Sequence, residues 1–338
     1  FLRRAGMREL VAAGVALQPY VPLYEAYPSV LLDMMAMPSF ETRSGGRYDH
    51  GEALSSGPAL DAVWGRVEGA FSHNDPEDAT TGYDTDLSRM ELQAGLDGLF
   101  LDNDAGTLIA SLTGHYKDGE AKVGSPFGGS KIRPEGWGFG GTVTWLGASG
   151  FYVDGQADLT WFTSELKADS LPLAPEDGDA FGYGLSAEIG QRITLSEGFS
   201  LTPQAQLAFS NVSIDGFTGA YGESINFDDG QSLVGRLGLG LEKLSQWQDA
   251  AGKTRAARLY GTASINHDFL GDTTAVLDAI YDLDSSPDVW SGEIAFGGSY
   301  DFETGKTRIG LYAELTATTG FDTGSYGYGG NLGLKVRW

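Results

Sequence analysis

The chain has no cysteine, so nothing in it can be held by a disulfide or by thiolate–metal bonds. That composition fits a protein that crosses an oxidising compartment unfolded, although by itself it says little about location. Uninterrupted apolar runs of about 18 residues are also missing, which argues against a transmembrane helix. Basic residues are scarce, with 22 Lys and Arg against 46 Asp and Glu. A net charge of -24 argues against nucleic acid, which needs a basic face. No initiator Met and no secretory signal peptide open the chain, which begins Phe1-Leu-Arg-Arg. The expectation is a piece of a longer precursor. Histidine is rare as well: His50, His73, His115 and His267. Neither a glycine-rich phosphate loop nor metal-ligand spacing is present, and Asp75, Glu77 and Asp78 do not meet the spacing of a calcium loop.

What is abundant is glycine, 50 of 338 residues, and alternation of apolar with polar side chains. Successive side chains of a strand point to opposite faces, so a period of two predicts strands. Twelve are predicted, at 60–72, 87–102, 106–118, 135–147, 150–163, 181–195, 198–212, 231–245, 256–270, 289–302, 306–318 and 326–338. The connections sort by parity. After the second, fourth, sixth and tenth strands they are short, such as Asn103-Asp-Ala and Ala148-Ser; the one after the eighth is somewhat longer. After odd strands they are mostly long and acidic. The first carries Asp75, Glu77, Asp78, Asp84 and Asp86, the third Glu176, Asp177 and Asp179, and the fifth Asp278, Asp282, Asp284 and Asp288. Short turns on one side with long loops on the other is the asymmetry of outer-membrane barrels.

The two faces agree. Ile309, Leu311, Ala313 and Leu315 alternate with Arg308, Gly310, Tyr312, Glu314 and Thr316. Phe151, Val153, Ala157, Leu159 and Trp161 alternate with Tyr152, Asp154, Gln156, Asp158 and Thr160. The polar face collects charge: Arg66, Glu68, Glu91, Asp97, Glu188, Arg192, Arg236, Glu242 and Glu293. A soluble barrel buries its inside and wets its outside. The inverse pattern needs a lipid exterior and an aqueous interior. Aromatics pair at strand ends, as Trp137 with Trp145 and Trp290 with Tyr300 and Phe302, at the spacing of two interfacial girdles. The fold class is therefore all-β, a twelve-stranded antiparallel transmembrane barrel, expected to be monomeric.

The last eight residues alternate Leu332, Leu334, Val336 and Trp338 with Asn331, Gly333, Lys335 and Arg337. They resemble the C-terminal assembly signal of bacterial outer-membrane proteins at Asn331, Gly333, Val336 and Trp338. Residues 1–59 do not alternate. A helix is predicted over 29–37, with Pro28 in its first turn and Pro38 and Ser44-Gly-Gly46 ending it. A twelve-stranded barrel is wide enough to hold one helix. If Trp338 ends on the inner side, the first strand starts there too, and anything fused upstream must reach the outside through the lumen. Residues Pro22–Met37 are therefore expected inside, with Glu25 or Asp33 facing inward Arg side chains such as Arg66, Arg192, Arg236 or Arg308. Residues 1–18 are expected to be the end of a passenger or a linker, 19–59 the pore-traversing helix and linker, and 60–338 the barrel.

Gly141-Thr-Val-Thr-Trp-Leu-Gly-Ala-Ser-Gly-Phe-Tyr-Val-Asp-Gly-Gln-Ala-Asp-Leu-Thr-Trp161 resembles the fourth-to-fifth hairpin of type V autotransporter translocator domains. Leu201-Thr-Pro-Gln-Ala-Gln-Leu-Ala-Phe209 with Gly235-Arg-Leu-Gly-Leu239, Val63-Trp-Gly-Arg66, and Val21-Pro-Leu-Tyr-Glu25 resemble their seventh and eighth strands, first strand and pore-entering segment. The likeness covers about residues 19–338. It implies an outer-membrane barrel plugged by one helix, which anchors an N-terminal passenger, exports it to the cell surface and is inserted by the outer-membrane assembly machinery with periplasmic chaperones, amid lipid and lipopolysaccharide. Some relatives release the passenger by attack of a pore-helix Asn. Residues 1–73 contain no Asn, so that chemistry is not available here. A porin-like or adhesive barrel without a passenger is the alternative, and conductance discriminates between them. No enzymatic role, cofactor or catalytic residue is assigned: His267 and Asp268 are strand neighbours, point to opposite faces and cannot form a dyad.

Overall fold

The computed structural model describes residues 20–45, 59–169, 176–219, 222–304 and 307–338. Twelve long strands form the wall: β1 (Ala59–Asn74), β2 (Asp84–Asn103), β3 (Gly106–Gly124), β4 (Ser130–Gly147), β5 (Phe151–Ala168), β6 (Glu176–Gln191), β7 (Phe199–Ile214), β8 (Gly230–Gln248), β9 (Thr254–Asp268), β10 (Trp290–Thr304), β11 (Thr307–Gly320) and β12 (Tyr326–Arg337). Each pairs antiparallel with the next. β12 returns to β1 in unbroken register from Ala62↔Arg337 to His73↔Tyr326, which closes the sheet. Closure removes both edges, so every ladder group can be satisfied without water, the condition for strands to cross a bilayer. All twelve predicted strands are present. Among the described residues no helix is long and apolar enough to span a membrane.

The faces divide as the alternation requires. Leu112, Leu159, Trp161, Leu311 and Leu315 lie on the exposed outer surface, whereas Asp154 and Glu188 are 1% exposed and Glu314 2%. Inner turns are tight: Gly150, Gly198 and Gly252 take positive φ of 85°, 74° and 75°, the left-handed region that glycine enters without a Cβ clash. Outside, the predicted loops shrink. β3 and β4 stay paired as far as Val123↔Ser130, leaving 125–129 as the turn, and 321–325 alone joins β11 to β12. Asp84 and Asp86 lie on β2, and Glu176, Asp177 and Asp179 on β6, rather than in loops. The hairpins continue past the membrane because a paired backbone remains satisfied in water as in lipid.

The remaining outer connections fold together. Phe217–Thr218, Ser224–Phe227, Thr273–Leu277, Tyr281–Ser286 and Asp78–Ala79 form a separate five-stranded sheet, in that order. It caps the outer mouth.

Candidate functional site: the occupied lumen

A helix, α1 (Tyr20–Met34), lies inside the barrel, followed by a short second one, α2 (Phe40–Ser44). The predicted helix, 29–37 with Pro28 at its start, was shorter, began later and ended three residues beyond Met34. In the structure the helix runs through Pro28. A proline there removes one backbone hydrogen bond. Burial on every side holds the helix in spite of that loss. Tyr20, Leu23, Tyr24, Tyr27 and Leu31 are at most 1% exposed, packed with Leu87, Ile132, Leu166 and Val212 of the wall and Ile225, Leu277 and Leu283 of the cap. Each such side chain contributes about 1.5–3 kcal/mol on leaving water. The outer half of the lumen is thus an ordinary apolar core.

Below Asp33 the character changes. The last carbonyls of a helix lack partners within it and carry partial negative charge. Here the wall supplies donors. Lys117 Nζ reaches Met34 O at 2.9 Å, and Ser210 Oγ reaches Met35 O at 2.9 Å. Gln206 and Gln156 donate to Pro38 O at 2.9 and 3.1 Å. Arg89 binds both the Asp33 carbonyl and its carboxylate. Two cavities of about 270 and 340 Å³ flank this segment, both lined by Asp33, Met37 and Arg236.

α2 was not anticipated, although Ser39 and Gly45 frame it in the sequence. Ser39 caps its start, accepting from Thr42 N, and Gly45, at φ 54°, ends it by donating to Glu41 O. Its side chains engage the inner half of the wall. Arg43 donates to Asp154 at 2.5 Å and to Thr142 and Thr144. Glu41 takes a two-pronged contact from Arg258, at 2.6 Å on each oxygen. Arg258 also pairs with Glu242, which pairs with Arg192. The Phe40 amide donates to Glu188 at 2.8 Å, and its ring lies 4.8 Å from that of Tyr152. Tyr312 fills the space beside Gly45 and Gly333, where a Cβ would come within 2.2 and 2.0 Å of its ring.

The expectation that Glu25 or Asp33 faces an inward Arg holds for Asp33, through Arg89 rather than one of the four arginines named, and not for Glu25. Glu25 accepts from Thr80 N, Thr81 N and Thr81 Oγ1 at 2.6, 2.9 and 2.6 Å, so it binds an outer connection and no Arg. Asp33 meets Arg89, Ser72 and Asn74 rather than the four arginines proposed for it. Of those four, Arg66 touches the plug, donating to Thr42 O at 3.2 Å, and it lies 3.6 Å from Glu68. Arg236 holds Gln206 and Asn266, with Glu293 at 3.5 Å, and Arg308 faces Asp301 at 3.7 Å. Alternation marks a residue as inward but not its height, and height decides its partner. Arg258, Glu188 and Asp154 share that alternation; Arg43 and Glu41 were findable only from the Ser39–Gly45 capping pattern. At the C-terminus Asn331 is buried and donates to Glu314 at 3.4 Å, while Trp338 is 59% exposed on the outer surface of the wall.

The described histidines form no open site. His115 is buried in the lumen, with Nε2 2.9 Å from Thr160 Oγ1 and Nδ1 3.4 Å from Asp158. Thr160 is fully buried. His73 pairs with Asp86 at 2.8 Å, His267 lies tilted against Trp290 with ring centroids 4.3 Å apart, and His50 lies outside the described residues. Among the described residues no cluster of His, Asp and Glu could hold a metal ion.

Comparison with known proteins agrees with this architecture. The family model described as autotransporter beta-domain matches residues 63–316. The adhesin BmaC autotransporter of Brucella suis biovar 1 is 35% identical over 336 residues, 95% of this chain and 10% of that protein. The pertactin autotransporter of Bordetella parapertussis is 34% identical over 148 residues, 42% of this chain and 15% of that protein. The chain therefore spans about a tenth of the adhesin relative's length. In fold it resembles the transport unit of AIDA-I from Escherichia coli, with TM-score 0.72, 18% identity, and 94% of this chain and 98% of that one covered. The translocator domain of NalP from Neisseria meningitidis gives TM-score 0.64 at 15% identity, covering 94% and 99%. The chain belongs to the autotransporter beta-domain family, a translocator barrel of the bacterial outer membrane.

Proposed function

We propose that this domain anchors in the outer membrane and exports a passenger fused upstream of Phe1, which it then displays at the cell surface. The direction of the chain through the lumen carries the reading. Glu25 meets the outer cap at Thr80 and Thr81, Asp33 the middle of the wall, and Arg43 the inner half at Asp154. β1 then begins at the inner end. A polypeptide upstream of Tyr20 is thus delivered to the outside, as export through this pore requires. Residues 1–18, assigned to the passenger's end or a linker, lie outside the described residues. We assign the domain no enzymatic role, cofactor or nucleic-acid partner.

The test is deletion of residues 19–57. The barrel should remain folded, seen as a heat-dependent shift on a denaturing gel, and single-channel conductance should rise several-fold. Unchanged conductance would leave the chain an open porin with an external arm. Insertion by the assembly machinery, helped by periplasmic chaperones, rests on the terminal strand with Asn331, Gly333, Val336 and Trp338. Replacing Val336 and Trp338 with Asp should abolish surface levels. A charge on the lipid face costs about 2–4 kcal/mol at the midplane and less at the rim, so the larger effect is lost recognition.

A further inference from the structure

The outer extension of β3, β4 and β5 carries a row of lysines that the plugged lumen does not use. Lys122 is directly opposite Lys131, and Lys131 directly opposite Lys167. Alternation aims all three away from the lumen, because Ala121, Ile132 and Leu166 beside them are buried inward. Like charges in direct cross-strand register are unfavourable unless an anion lies between them. The protein supplies part of one: Lys131 lies 3.8 Å from Asp169, and Asp86, directly opposite Lys122 on β2, is held by His73 at 2.8 Å, so neither Lys122 nor Lys167 has an acidic group within 4 Å among the described residues. Arg133 nearby is already taken, donating to Glu120 at 2.9 Å and Glu165 at 3.3 Å.

The row also has a defined height. On the same three strands Tyr116, Trp137 and Trp161 stand in direct register and continue to Phe181, forming an aromatic belt that marks the headgroup level. Six residues of a tilted strand separate Trp137 from Lys131, which places the lysines about 14 Å above the belt. The rows between offer no spare cation: Asp118 and Glu135 are acidic, and Arg133 is paired. Together with Arg133, these lysines are the described basic side chains that point outward from the outer half of the barrel; the other outward Lys and Arg side chains sit near the inner end. In a chain of net charge -24, that placement puts the outer half's outward lysines where the outer leaflet presents anionic sugars.

We propose that Lys122, Lys131 and Lys167 form a docking row for the phosphate- and carboxylate-bearing core sugars of lipopolysaccharide. The inference goes beyond export and does not depend on the plug. It commits to the core sugars rather than the acylated disaccharide, because of the height. The full chain in detergent micelles would be titrated with rough lipopolysaccharide that retains its phosphorylated core, and separately with lipid A lacking any core. Binding of the first should weaken at least tenfold in Lys122→Gln/Lys131→Gln/Lys167→Gln; binding of the second should not change. Lys243→Gln/Lys253→Gln, at the inner end, should bind as the unaltered chain does. A heat-dependent gel shift checks that each variant is folded. The proposal is overturned if the triple variant retains full binding, if lipid A is weakened as much as the core-bearing form, if the inner-end pair loses as much, or if millimolar inorganic phosphate displaces the glycolipid completely.

Discussion

The outer and inner halves of the lumen hold the same polypeptide by opposite means. Around α1 the contacts are apolar and close on the cap sheet through Tyr24, Tyr27, Leu31, Ile225 and Leu283. Around α2 they are directional, as Arg43 with Asp154 and Arg258 with Glu41. An apolar core is non-specific in orientation but loses much when a large side chain is removed, since a cavity remains. An ionic contact fixes orientation, gains little net energy, and becomes costly when one partner is left buried alone. The outer half thus supplies the holding energy, and the inner half sets the register at which the chain stops. A polar inner wall also suits passage of an extended chain, because its donors and acceptors can exchange partners with successive residues.

The largest test of that division is Tyr27→Ala/Leu31→Ala. Both side chains are fully buried, and such truncations cost about 2–5 kcal/mol each. The plug should leave the pore, raising conductance toward that of the deletion while the heat-modifiable barrel persists. Conductance at the unaltered level would mean that the outer core does not hold the plug.

Arg43→Ala should come next. Asp154 would then be buried without its partner, a loss of about 3–5 kcal/mol in comparable pairs. Adding Asp154→Asn should recover most of it. A single variant that opens the channel no more often than the double would remove the register role from this pair.

A smaller effect follows from pH. Burial raises the Glu25 carboxyl to about 7, against three hydrogen bonds that favour its charged form, and Asp284 in the cap adds to the rise. An acid that binds its proton more tightly when docked contributes stability fully present below its ordinary value near 4.5, and that stability is lost as pH rises to about 7. The outer lock should therefore be tighter at pH 5 than at pH 8, by at most about 3 kcal/mol. Open probability should fall on acidification, and Glu25→Gln should flatten the dependence. Opening on acidification would contradict the assignment.

Glu41→Gln is the mildest change. It keeps the shape, leaves Arg258 paired with Glu242, and should cost about 1 kcal/mol. Brief openings without loss of the plug, read in single-channel records, are the expected signature.

The wall was legible because strand alternation is local. A residue's face in β5 or β11 follows from its parity, and the inverted polarity follows from which parity carries Asp154 or Glu314. α1 was only partly legible: Pro28 suggested a beginning, yet packing inside the barrel overrode the local cost of a proline. α2 left a weak local mark, Ser39 with Gly45, that a short polar stretch does not make conspicuous.

By itself, then, the sequence determined the strand number, the inward and outward faces, the closing of the barrel and the presence of a chain segment inside it, because each follows from a period of two and from where the ends must lie. Only the tertiary structure decided that Glu25 meets Thr81 rather than an arginine, that Glu41 meets Arg258, and that three lysines from β3, β4 and β5 line up. Those pairings depend on stagger between strands and on the depth of the plug, and the plug's contacts join residues 56 and 217 positions apart.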